Sequence, residues 1–305
     1  MVETLDILCV ADMCVDLVVA GNVRPQFHQA EQLVDDYSIE LGGSANIFVS
    51  QFVKLGGRAG VVGWVGQDVF GQFVLEKLHA VGVDTSRVRQ HSQLKTGLGI
   101  ALAEPDDRAI LTYPGTIDAV EPFELTGELL PCQHWHIASY FLLNKLRKRW
   151  IGWLEQCRER KLTISLDTNW DPENRWEGVM NLLPLIDVFL PNEAEALAIS
   201  GESDVTRAGE KLSRVGTLVV IKRGREGALA FKKNQCWRLQ PDDSEGKAIH
   251  IVDSIGAGDN FDAGFIRAWL LGQEVEECLK LACRCAVASL AAAGGIQGQL
   301  RENVI

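Results

Sequence analysis

A carboxylate set where a glycine-rich turn becomes a helix can do chemistry. The sequence has one such stretch near its C-terminal end, Asp253-Ser254-Ile255-Gly256-Ala257-Gly258-Asp259. The preceding Ile249-His250-Ile251-Val252 reads as a β-type run, and beyond Asp259 the residues Phe261, Phe265, Ala268 and Trp269 recur at helical spacing. Strand, small-residue turn and helix start aim several backbone N–H groups at one spot, and the helix dipole adds to their field. Only very small side chains let an anionic oxygen approach the backbone that closely. An anion cradle with a base beside it is what phosphoryl transfer to a hydroxyl requires. The plainer alternative is a glycine-rich αβ corner in which Asp259 is an N-terminal helix acid. Asp262, further along the same helix, reads as a surface or capping acid.

Other polar groups stand at comparable places. Leu41-Gly42-Gly43-Ser44-Ala45-Asn46 opens an amphipathic helix that stops at Gly56-Gly57, so backbone and small polar groups meet at its start. Asn192 and Glu195 share one side of a helix's first turn; they are either capping residues or acids that organise Mg²⁺ waters near phosphates. Lys222, Arg223 and Arg225 form a basic cluster in an acidic chain, and Lys222 is either a solvated lysine or an anion contact. Cys132, His134 and His136 share strand parity, but no further zinc ligand is evident, and core and rim histidines are the better reading. A Walker-type loop, a Rossmann Gly-x-Gly-x-x-Gly after the first strand and a Gly-x-Ser-x-Gly elbow are all missing from the sequence.

Elements must position these groups. Ile7–Ala11, Ala59–Val65, His134–Ser139, Leu162–Leu166, Leu185–Leu190 and Thr217–Ile221 read as strands. Helical patterns at 70–80 and 145–160 alternate with them, and acids, amides and glycines follow the strand ends. That rhythm predicts an α/β fold with a mostly parallel sheet and a ligand site at the strands' carboxyl ends. Residues 22–40 read as polar and irregular, and Thr96–Glu104 and Ala109–Tyr113 as a hairpin about Pro105-Asp106-Asp107-Arg108. Residues 17–40 and 96–115 together form a small β-rich flap, and a further hairpin joins Ala228–Phe231 to Gln235–Arg238.

Hydrophobic residues at 47% and charged residues at 23% describe an ordinary globular chain, and 305 residues suffice for one large α/β domain or two small ones. The formal net charge of −11 argues against nucleic acid or an anionic membrane surface as partner. The acidic start has no signal-peptide character, and eight cysteines without a Cys-x-x-Cys pair read as reduced thiols in a cytoplasmic protein.

Together these segments resemble the PfkB, or ribokinase-like, family of carbohydrate kinases, over essentially the whole chain. Asp253-Ser254-Ile255-Gly256-Ala257-Gly258-Asp259 followed by Ala263-Gly264-Phe265 fits the family's C-terminal signature. Leu41-Gly42-Gly43-Ser44-Ala45-Asn46 resembles the N-terminal one, with Ser44 and Phe48 where smaller residues are usual. Gly66-x-Asp68-x-Phe70-Gly71, Leu78-x-x-x-Gly82-Val83-Asp84 and Asn192-Glu193-Ala194-Glu195 are similar to further family elements. The resemblance implies one kinase domain over 1–305 with a three-layer α/β/α fold and the flap as a β-sheet lid, often also a homodimer contact. It implies ATP and Mg²⁺ as cofactors, with a monovalent cation such as K⁺ held by the Asp253 and Ile255 carbonyls. Asp259 would be the general base, kept ionised by the helix N-terminus, and the Gly256, Ala257 and Gly258 amides the anion hole. Asp16, Gly42, Gly43 and Asn46 would bind sugar hydroxyls. Asn192 and Glu195 would organise Mg²⁺ and phosphates, and Lys222 and Gly227 would line the nucleotide site. In Asp167-Thr168-Asn169-Trp170-Asp171, Asp171 replaces the arginine that sugar-acid kinases and fructokinases carry. The expected substrate is therefore a neutral sugar or polyol phosphorylated on a primary hydroxyl. A nucleoside is the nearest rival, and a non-catalytic sugar sensor the rival from another class.

Overall fold

The structure is a computed structural model that describes residues 4–103, 108–121, 132–240 and 251–302. The first half contains β1 Leu5–Val10, β2 Cys14–Ala20, β3 Asp36–Gly42, α1 Ser44–Lys54, β4 Ala59–Gly66, α2 Val69–Val81, β5 Asp84–His91, β6 Gly97–Ala103 and β7 Arg108–Tyr113. The middle contains β8 Cys132–Ile137, α3 Trp150–Glu159, β9 Thr163–Leu166, α4 Val179–Leu182, β10 Val188–Phe189, α5 Glu193–Ser200 and α6 Val205–Ser213. The chain continues through β11 Leu218–Lys222, β12 Ala228–Lys232, β13 Gln235–Leu239, α7 Ala257–Leu270, α8 Val275–Ser289 and α9 Gly294–Gln297.

Nine strands make one sheet in the order β13-β12-β11-β10-β9-β8-β1-β4-β5. Every pair from β11 to β5 is parallel, and β12 and β13 add an antiparallel edge. Central parallel strands are apolar on both faces because helices cover both. In β1, Ile7 and Cys9 enter the core beneath α1 and α7, while Leu8 and Val10 enter the core on the opposite face. Val220 and Ile221 of β11 divide in the same way. The product is the expected three-layer α/β/α arrangement. Parallel strands put their carboxyl ends along one edge, and the polar residues that follow β1, β8, β9, β10 and β11 gather there.

A second sheet has the order β3-β2-β6-β7, with β2 and β6 parallel and the outer pairs antiparallel. It is built from the segments read as the flap. Asp36–Gly42 is a strand rather than irregular chain, because its seven residues pair with β2 from Ala20 to Cys14. The Pro105-Asp106-Asp107 turn lies outside the described residues.

Three further expectations change. The helix placed at 145–160 begins at Trp150, preceded by a 3₁₀ turn at Asn144–Leu146. The strand placed at 185–190 is only Val188–Phe189, because Leu183–Leu185 coils into a 3₁₀ turn. Ile251 and Val252 form no strand: they are 43% and 55% exposed, and Val252 donates to the Leu290 carbonyl instead. Ile249 and His250 lie outside the described residues. All eight cysteines are free thiols. Among the described residues no helix is long and apolar enough to cross a membrane.

Candidate active site

A cavity of about 1510 Å³ opens along the carboxyl ends of the central strands. Single small-molecule sites hold roughly 300–1,000 Å³, so there is room for two ligands side by side. Asp259 and the turn before α7 line the cavity, with Asp12 and Ser44 near Asp259 on one side and Asp167 and Lys222 on the other.

Gly256 caps α7 in the left-handed region (φ 72°), a conformation that favours glycine. A Cβ there would also lie 2.9 Å from both the Gly295 Cα and the Ile47 side chain. The first helical bond runs from Asn260 N to Gly256 O at 2.9 Å. Ala257 N makes a long bond of 3.4 Å to Ser254 O, while the N–H groups of Gly258 and Asp259 have no partner among the described residues. These amides line the cavity and suit an anion. The helix N-terminus does not hold Asp259 at an ordinary carboxylate value. Burial pushes its carboxyl well up, Asp167 and Asp12 add to the rise, and Lys222 and the Ser44 hydroxyl oppose it. The expectation of a readily ionised base is corrected: Asp259 is a carboxylate of raised proton affinity.

On one side of Asp259 the groups are hydroxyls, amides and acids. Asp16 lies on β2 directly opposite Gly99 of β6. A Cβ at Gly99 would stand 2.4 Å from Asp16 Oδ1, and one at Gly42 would stand 2.7 Å from it. Gly42 therefore makes room for Asp16 rather than lining the cavity. Gly43 lines it at φ 88°, where a Cβ would meet the Asp12 carbonyl at 2.2 Å. Asn46 is fully buried, donates to Gly42 O at 2.8 Å and leaves Oδ1 unpartnered, so it backs this turn.

Asp12 was not among the expected site residues. It accepts from the N–H groups of Ser44 and Ala45, both at 3.0 Å, and from the Ser139 hydroxyl at 2.6 Å. Burial raises its carboxyl in spite of these donors. The amide of Asn169 meets the hydroxyls of Ser44 and of Ser139, the latter at 3.0 Å. Asp12, Ser139 and Asn169 each follow β1, β8 or β9, so the strand-end rule could have found them. Trp170, 55% exposed, Ile110, Ile117 and Leu142 complete this half.

On the other side lie Asn192, Glu195, Lys222, Gly227 and α8. Asn192 and Glu195 form a capping box: Asn192 Oδ1 accepts from Glu195 N at 2.9 Å, and Glu195 Oε2 accepts from Asn192 N at 2.8 Å. Burial, with Asp167 adding to it, raises Glu195 to about 7. Lys222 is not a solvated lysine. Its ammonium sits 2.7 Å from Asp167 and 3.0 Å from Asp262, and its side chain is 13% exposed. Asp262, read from sequence as a surface or capping acid, is fully buried in that cluster. Arg223 pairs with Glu193 at 2.7 Å and Lys280 with Glu277 at 2.6 Å, and Arg225 and Arg284 also line this half. Asp253 braces the loop before the cradle, Oδ1 accepting from Ile255 N and Oδ2 from Gly294 N, both at 2.9 Å.

His134 and His136 belong to neither half. Ser165 Oγ lies 2.7 Å from His134 Nε2 and 2.8 Å from His136 Nδ1, and His136 stacks on Phe48 at 3.8 Å. No metal-binding cluster of three His, Cys, Asp or Glu residues occurs among the described residues.

The pfkB family carbohydrate kinase model matches residues 4–302. The chain is 25% identical to fructoselysine 6-kinase of Shigella flexneri, over 92% of this chain and 95% of that one. It is 28% identical to cytidine kinase of Thermococcus kodakarensis, over 87% and 92%. The crystal structure of Vibrio cholerae O395 fructokinase with fructose, ADP and calcium superposes with a TM-score of 0.81 at 21% identity, covering 99% of this chain and 98% of that one. With the family matched from end to end, the ribokinase-like fold shared and the relatives named as kinases of small sugars and nucleosides, the chain belongs to the pfkB family and is a carbohydrate kinase.

Proposed function

We propose that the protein transfers the γ-phosphoryl group of ATP to a primary hydroxyl of a neutral sugar or sugar-like polyol. One observation carries the reading: in a single cavity Asp259 and the open amides of α7 meet the acid-and-hydroxyl groups Asp12 and Ser44 as well as the Lys222 cluster. Asp16, Ser44 and Asn169 would hold acceptor hydroxyls. The amides of the 256–258 turn and of Asp259 would receive the transferring group. An Asp259 oxygen takes the acceptor O–H proton as the new O–P bond forms and the bond to ADP breaks. Raised proton affinity makes Asp259 a stronger base than a solvated aspartate, and its ionised fraction grows as pH rises. Phosphoryl transfer depends chiefly on positioning and charge stabilisation, so a carboxylate suffices.

Glu195 and Asn192 fit Mg²⁺ as hard oxygen donors beside the phosphate position, and Mg²⁺ commonly takes one or two carboxylates plus substrate phosphates. When bound, the ion would neutralise charge on the phosphates. The Asp253 and Ile255 carbonyls accept no hydrogen bond among the described residues and fit a monovalent cation such as K⁺. Closure of the smaller sheet over the acceptor would keep water from competing, and its exposed outer face would serve a homodimer.

The acceptor half contains Asp12, Asp16 and Asp259 and no cation among its described residues. That favours a neutral acceptor over a sugar phosphate or sugar acid. Trp170 supports a second reading, a nucleoside whose base lies against the indole. An ADP-release screen over sugars, polyols, sugar acids and nucleosides tests both readings. Turnover confined to sugar acids, or none with any acceptor, would overturn them.

A further inference from the structure

Lys222, at the edge of the cavity, is shared by two carboxylates that are almost wholly buried. Its Nζ lies 2.7 Å from Asp167 Oδ2 and 3.2 and 3.0 Å from Asp262 Oδ1 and Oδ2. The Asp167 and Asp262 side chains are 4% and 0% exposed. Two charged carboxylates on one ammonium would leave a buried negative charge uncompensated, and a site of this kind takes up a proton instead.

Geometry says where that proton resides. Asp167 Oδ1 already accepts the Asn169 N–H at 3.0 Å, a bond that favours the anion. Asp262 accepts only from Lys222 among the described residues. The groups facing Asp262 are Asp167 after β9, Lys222 of β11 and, one turn earlier on its own helix, Asp259; Glu195 of α5 acts on it through Lys222. Burial pushes the Asp262 carboxyl well up against the pull of Lys222. Burial works on Asp167 too, but Lys222 and a hydrogen bond from Asp262 hold it low.

Resting on the kinase reading, we propose that Asp262 is a positioning residue. It works as an uncharged carboxylic acid that shares its proton with Asp167, and the pair pins the Lys222 ammonium behind the phosphate cradle. A Cβ built on Gly258 would lie 3.5 Å from Lys222 Nζ, so the ammonium sits directly behind the turn whose amides face the anion. An ionised Asp262 would leave the cluster with a net negative charge that repels the incoming phosphate, whereas a neutral one leaves the Lys222–Asp167 pair balanced. The same contacts tie the first turns of α7 to β11 and to the loop after β9. The cradle and the Asn169 side of the acceptor pocket thereby keep a fixed relation.

Asparagine reproduces a neutral, hydrogen-bonding carboxylic acid, and alanine does not. Kinetics with an acceptor from the screen should find kcat of Asp262→Asn within about threefold of wild type, and kcat of Asp262→Ala lower by about tenfold to a hundredfold. Infrared difference spectra of wild type minus Asp262→Asn, recorded at neutral pH without substrate, should contain a protonated-carboxyl band. Equal losses in the two variants, or a difference spectrum without that band, would overturn the proposal. The spectrum needs no turnover, so a failure of the kinase reading appears separately, as a screen without product.

Discussion

Gly99→Ala should separate stability from activity. Gly99 has no positive φ, so its backbone accepts alanine without strain, and alanine in a strand interior is favoured over glycine by roughly 0.5–1 kcal/mol. The new methyl would stand 2.4 Å from Asp16 Oδ1, where ordinary contact begins near 3.4 Å. Asp16 must therefore retreat by about 1 Å, since β2 and β6 are locked in register from Cys14↔Gly97 to Ala20↔Ala103. A displacement of that size at a substrate-orienting group costs about a hundredfold in rate, or ~2.7 kcal/mol of transition-state stabilisation. The assay is coupled ADP release with the acceptor varied at saturating nucleotide, run beside thermal unfolding. The expected variant melts at or above the wild-type temperature and loses acceptor kcat/KM with nucleotide KM unchanged. Wild-type kcat/KM in a folded variant would refute the assignment of Asp16 to the acceptor, because the steric displacement is unavoidable.

Asp259→Asn should lower kcat by about 10²–10⁴-fold while nucleotide affinity, measured by direct titration, stays near wild type; near-normal turnover would remove Asp259 as base. Glu195, raised to about 7, should bind Mg²⁺ more weakly as pH falls through that value, so the Mg²⁺ concentration for half-maximal activity should be higher at pH 6 than at pH 8; equal values would separate Glu195 from the metal. His136 is held down at about 3 by burial, so it stays neutral when folded and takes a proton near pH 6.5 when unfolded. Its stability is therefore complete above about 6.5 and is lost as pH falls from there toward 3. The raised carboxyls act with the opposite sign in that window, so the comparison is with His136→Gln, which should gain on wild type by about 1.4 kcal/mol per pH unit below 6 in urea unfolding; a constant difference between the two would refute it. Finally, equal rates in K⁺ and in a large inert cation would count against the Asp253 and Ile255 carbonyls as ligands.

Much of the architecture was legible because strand burial writes itself into composition. Runs such as Ile7–Ala11 and Thr217–Ile221 are apolar on both faces, and only a sheet covered by helices on both sides demands that. The positions read less well were those where pairing overrides local composition. Asp36–Gly42 looks like loop because its outer residues are polar, yet its backbone groups are satisfied across β2. Ile251 and Val252 look like strand, yet the partner in reach is the end of α8, and a single bond to Leu290 takes the place of a ladder.

The site divided along a similar line. Groups that act through the backbone were visible, since glycines at 43 and 256 mark conformations that side chains disfavour. Side chains that act on other side chains were not. Asp12 stands after β1, a strand-end signal that marks a position but not a role, and Asp262 carries no local signal; what defines each is a partner far along the chain, Ser139 for Asp12 and Lys222 for Asp262. Asp262 fell on a helix that also presents Asp259 to the cavity, and spacing alone could not say which acid was dry. Burial decides it. The acid one turn deeper reaches Lys222, and a second acid beside the ionised Asp167 must be neutral or leave a charge uncompensated, so its chemistry follows from its neighbours rather than from its type.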